Sequence, residues 1–149
     1  MSGNLDHSPA EVLRSALIDL GLATDPSSNT DWPAYFSSEP DKPDSVITVY
    51  DTTGFDLGRQ QIDGHREESH GVQIRFRSTA HRFGFRKARA VAIALDESVY
   101  DTRVVLGTSV YRVQSVVRSS GPLVLGRESP QSNRRLFTVN ALVTVNQTS

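Results

Sequence analysis

Apolar residues in this chain recur at helical steps in two segments and at alternate or consecutive positions in several others. Val12, Leu13, Ala16, Leu17 and Leu20 repeat at three- and four-residue intervals, which predicts an amphipathic helix from Pro9 to about Leu20. Its ends are marked as well. Ser8 is a capping residue, Pro9 fits the first helical position, Glu11 can reach back in a capping box, and Gly21 supplies a left-handed stop. Residues 24–45 are rich in Asp, Pro, Ser and Asn and read as a loop, interrupted by Trp32–Phe36 as an extended segment docked by its aromatics. The β-branched run Val46–Tyr50 predicts a buried strand that ends in a turn at Asp51-Thr52-Thr53-Gly54. Residues 55–69 carry two glycines and alternating charge, and read as a long mobile connection.

From Gly71 to Arg77 the alternation is strict, with Val72, Ile74 and Phe76 on a core face and Gln73, Arg75 and Arg77 on a polar one. A second helix is predicted over Thr79–Leu95, where Phe85, Ala88, Ala92 and Leu95 form an apolar stripe and Arg82, Arg86 and Arg89 lie on another side. Val104–Leu106, Ser109–Val117, Pro122–Leu125 and Leu136–Val145 read as strands, separated by Gly107, Gly121 and the polar stretch 126–135. This order predicts an α+β fold: two layers, with a mostly antiparallel sheet of about four to six strands and two helices packed on one face. The 149 residues suit a single domain, with residues 1–7 and 146–149 as loose ends.

Composition alters this picture mainly through charge. The net charge is −1, yet residues 1–70 hold 13 Asp/Glu and 4 Lys/Arg, whereas residues 71–149 hold 4 and 12. Such a division places an acidic region of one copy opposite a basic region of the next and favours head-to-tail association. The alternative is that the two halves interleave and neutralise each other within one copy. The absence of cysteine removes disulfides and thiolate chemistry. No apolar run approaches membrane-spanning length, and the N-terminus shows no secretory pattern, so a soluble, non-exported, non-membrane protein is expected.

Three local patterns carry a family resemblance: Val46–Tyr50 followed by Asp51-Thr52-Thr53-Gly54, the arginine-bearing strand Gly71–Ser78 entering a helix with Ala88, Ile93 and Leu95, and Tyr111-Arg112-Val113 before a Gly-Pro turn. Together, over roughly residues 8–145, the chain resembles the minor capsid or tail-completion proteins of long-tailed bacteriophages, which include tail terminators. The resemblance implies a structural virion protein without catalysis, made in the host cytoplasm. It would form a ring, typically of six subunits, that caps the tail tube, stops its polymerisation and offers a surface to the head-side connector. DNA would be a partner only in passage through the pore. A head-completion or stopper protein of the neck is the alternative in the same setting, and an oligomeric ligand- or metal-binding module is the alternative outside it. A cap needs unlike loops on its two faces, and the 51–70 and 126–135 segments are candidates, the latter through Arg127, Arg134 and Arg135.

For the subunit contact, the basic unit Arg75, Arg77, Arg82, Arg86 and Arg89 is the candidate on one side, and Asp51, Asp56, Asp63, Glu67 and Glu68 on the other. The same arginines would also serve as a phosphate-binding face or a merely solvated one, but a pI near 6.4 and few stacking aromatics argue against nucleic acid. Arg82-Phe83-Gly84-Phe85 only partly matches an RNA-recognition strand and sits among helix formers. Asp63, His65, Glu67, Glu68 and His70 match no fixed zinc spacing, so no metal or other cofactor is expected. Asp51–Gly54 breaks the Asp-Thr-Gly spacing of an aspartic protease, and no nucleophile elbow, Walker loop or dinucleotide fingerprint is present, so no catalytic residue is assigned.

Overall fold

A computed structural model of the protein describes residues 5–28, 31–59 and 66–148. In chain order the elements are α1 (Pro9–Asp19), a 3₁₀ turn (Pro26–Ser28), β1 (Ala34–Phe36), β2 (Val46–Arg59), β3 (Arg66–Ser78), α2 (His81–Glu97), β4 (Thr102–Leu106), β5 (Ser109–Arg118), β6 (Leu123–Arg127) and β7 (Arg135–Gln147). The fold is α+β, as the sequence predicts. The sheet is larger than expected, with seven strands in the order β1-β2-β3-β7-β5-β4 and β6 paired to β7. It is also mixed, because β1 runs parallel to β2.

The first helix forms as its sequence dictates. The Ser8 hydroxyl accepts the Glu11 amide, and the chain leaves the helix through Gly21 at φ +77°. A second cap comes from far along the chain: the Asp51 carboxylate accepts the Ala10 amide at 2.9 Å. The second helix starts two residues later than expected, and its N-cap Ala80 offers no side-chain acceptor.

The core is built in rows across the sheet. Ile47, Phe76 and Phe137 lie in one row and Val49, Ile74 and Val139 in the next. All are fully buried, in one cluster with Val12, Leu13, Leu17, Ala88, Val91 and Leu95 from the helices. The alternation assigned to β3 therefore holds, with Val72, Ile74 and Phe76 in the core. Helix α1 touches β1, β2 and β3 and also β4, strands at opposite ends of the sheet order, so the sheet curls around it as a half-barrel. Helix α2 packs on β3, β5 and β7. Its closest approach is at Gly84, where an added Cβ would lie 2.6 Å from the Phe137 ring.

Two expectations are corrected. The turn at Asp51–Gly54 and the described parts of the connection that follows are instead strand, while residues 60–65 of that connection lie outside the described residues. β2 runs on to Arg59 and β3 begins at Arg66. The register shifts between Thr52 and Phe55 and again between Asp56 and Arg59, each giving β2 one extra residue. These bulges absorb the turn-forming residues without ending the strand. Beyond Ser69, the last β3 residue paired to β7, the two strands pair only with each other among the described residues and form a two-stranded arm. The segment from Trp32 to Phe36 is docked as expected, with Trp32 buried and stacked on Phe83 at 5.2 Å.

The chain ends meet each other. The Asp6 amide donates to Gln147, Gln147 donates back to the Asp6 carboxylate at 2.6 Å, and His7 is bonded to the Tyr111 hydroxyl.

Candidate functional site

The arginines of the basic unit have different surroundings. Arg77 is 2% exposed. Its guanidinium donates to the carbonyls of Asp41, Pro43 and Asp44 and faces the carboxylates of Glu39 and Glu128, each at 3.4 Å. Arg134 grips the same segment from outside, through Asp44 at 2.9 Å, Asp41 at 3.4 Å and Glu128 at 3.7 Å. Burial alone would make its proton easier to lose, but those three carboxylates outweigh it and raise its pKa. Residues 39–44 thus form an acidic strap fastened by two cations, and part of the charge division is cancelled inside each copy.

Arg75 is half-buried, with its guanidinium 5.4 Å from the centre of the Tyr50 ring and its Nε without a hydrogen-bond partner. Burial is the main cause that raises the Tyr50 pKa. Arg82, Arg86 and Arg89 are all exposed on α2, and none is ion-paired to another described residue. With Ile93, 40% exposed, they form a ridge directly opposite the buried stripe of Gly84, Ala88, Val91 and Leu95. Arg82 stands in the first turn of the helix, where the backbone dipole disfavours cations, and that turn holds no acid. Neither the helix nor the rest of the described chain stabilises Arg82.

The acidic candidates divide in the same way. Asp51 is spent on capping α1. Asp56, Glu67 and Glu68 lie on the paired strands of the arm, and Asp63 lies outside the described residues, as does His65. No group of acids and histidines that would hold a metal occurs among the described residues. Of the 126–135 segment, Arg127 is exposed and donates only to the Pro130 carbonyl, Arg134 is turned inward to the strap, and Arg135 opens β7 opposite Ser78 and Arg127.

Sequence reasoning missed one surface. Val117, Leu123, Val124 and Leu125, on the strands either side of the β5–β6 break, are 62, 45, 50 and 51% exposed. Its signal was the continuous apolar run 123–125 in a strand too short to sit mid-sheet.

Among the described residues this α+β domain thus presents exposed charge without partners, an arm without a third strand and an apolar strand edge. The chain belongs to the bacteriophage tail terminator protein family, whose pattern matches residues 16–147. It is accordingly a structural component of a phage tail, associated with the virion. Among solved structures, a chain of the virion of a native gene transfer agent particle aligns over 75% of this chain and 77% of its own, with TM-score 0.43 and 16% identity. A second solved chain aligns over 91% and 92%, with TM-score 0.48 and 16% identity. No curated protein matches the sequence significantly.

Proposed function

We propose that the protein is a non-catalytic ring component that caps the tail tube, stops its growth and presents a joining face to the head-side connector. Copies associate head to tail, in a closed ring of about six, because the contact joins two unlike patches of each subunit. DNA passes through the pore without being gripped. The basic patch is the α2 ridge of Arg82, Arg86 and Arg89. The acidic patch is the β2–β3 arm with Asp56, Glu67 and Glu68; Asp63, the fourth acid of this stretch of sequence, lies outside the described residues. Arg135 remains for the axial partners, tube or connector.

The observation that carries this reading is the α2 ridge: three exposed arginines lack any partner among the described residues, and Arg82 lies in the first helical turn, where cations are disfavoured. Negative-stain images of purified protein, alone and with tail tubes, test it together with native mass spectrometry. Closed rings, or caps on tube ends, are expected from the wild type, and Arg82→Glu with Arg86→Glu should abolish both. Intact rings from the double variant would remove the ridge from the contact. A protein that stays monomeric with tubes present, and leaves their length unchanged, would overturn the capping role.

A further inference from the structure

Strands β5 and β6 are two halves of one interrupted strand. Both run antiparallel to β7, β5 along Ala141–Gln147 and β6 along Arg135–Thr138, with the break at residues 119–122. Strand β4 covers only the first half, from Ser109 to Val113. Among the described residues nothing pairs the outer edge of β6. That edge has little protection: Leu123–Gly126 carries no charge and no proline, Leu123, Val124 and Leu125 are about half exposed, and the one device present is a bulge at Leu125 in the middle of the strand.

The arm has the matching defect. Among the described residues its strands Phe55–Arg59 and Arg66–Glu68 have no third partner, and a two-stranded ribbon is marginal in water. Charge sorts the two surfaces. The arm carries Asp56, Glu67 and Glu68, while the open edge is bordered by Arg127, which has no carboxylate partner among the described residues. The C-terminal end of α2 lies beside the break between β5 and β6. Asp96 reaches Arg118 at the end of β5, and Arg82 and Arg89 stand in the same helical row as Asp96 at seven-residue spacing.

We propose that the arm of one copy adds as a strand to the open β6 edge of the next, with its carboxylates against Arg127 and the α2 row, so that the sheet continues from subunit to subunit. This rests on the ring reading and names the backbone contact that closes it. Main-chain hydrogen bonds supply the pairing, and the apolar side chains 123–125 supply the burial.

Two measurements on the full chain test it. Amide hydrogen exchange should slow at least tenfold at residues 123–127 and 55–59 when dilute monomer is brought to assembling conditions. The chain has no cysteine, so a mixture of Asp56→Cys and Leu125→Cys variants should oxidise to a mixed dimer that neither variant forms alone. Rings that assemble with unchanged exchange at 123–127 and no mixed dimer would overturn the strand addition and leave the ring reading standing. Absence of rings from the wild type, with and without tubes, would overturn both.

Discussion

The strap at 39–44 and the ridge on α2 are both places where charge crowds, and the chain treats them in opposite ways. In the strap, Glu39, Asp41 and Asp44 meet Arg77 and Arg134 of the same copy. On the ridge, Arg82, Arg86 and Arg89 meet no described residue of their own chain. The buried set fixes a loop against the sheet, and the exposed set contributes almost nothing to folding. A dense run of arginines therefore has no single meaning: burial turns one into a rivet, and exposure leaves three for a neighbour.

The largest test of that contrast is Arg77→Ala. It leaves Glu39 and three carbonyls without their donor in a closed environment, and unfolding free energy should fall by about 3–5 kcal/mol. Urea denaturation measures it, and a loss under about 1 kcal/mol would mean that the strap is held by other means. Gly84→Ala comes next. The added methyl meets Phe137, and the strain should outweigh the gain in helix propensity and cost about 1–2 kcal/mol. A rise in melting temperature would show that α2 can move off β7 freely.

Asp51→Ala removes the second cap of α1 and should cost about 1 kcal/mol, measured the same way. If this substitution left stability unchanged but abolished assembly, Asp51 would belong with the ridge and not with the strap. Arg82→Glu with Arg86→Glu should change monomer stability by less than about 0.5 kcal/mol while removing assembly. A large destabilisation would mean that the ridge is structural after all.

The smallest effect is expected from the surface pair Arg118 and Asp96. The hydrogen bond from Arg118 holds the Asp96 pKa below its ordinary value. The stability it adds is therefore present above the usual carboxylate range and lost as pH falls through the lowered pKa. Because Asp96 is 43% exposed, the loss should stay under about 0.5 kcal/mol. Comparing acid titrations of the wild type and Arg118→Ala would detect it.

Much of the fold was legible in the residues themselves. Ser8, Pro9 and Gly21 bound α1, and the alternation of Val72, Ile74 and Phe76 assigned the faces of β3 correctly. The arginine ridge of α2 was legible too, because helical spacing alone separates it from the buried stripe. The segment 51–59 misled, since Asp-Thr-Thr-Gly and Gly58 are turn chemistry locally, yet β2 takes them up in two bulges while pairing with β3. The seventh strand, the parallel pair β1–β2 and the exposed β6 edge were not legible, because pairing partners leave no mark on a strand's own pattern.

The sequence by itself determined the helices, the strand faces and the uneven division of charge, since each depends on residues a few positions apart or on simple count. Tertiary structure alone decided which charges are spent internally and which remain. Arg77 finds its acceptors 33 to 51 positions away and Arg134 reaches Asp41 across 93. A side chain's electrostatic role follows from what lies within a few ångströms of it in space, and only the folded sheet brings those groups together.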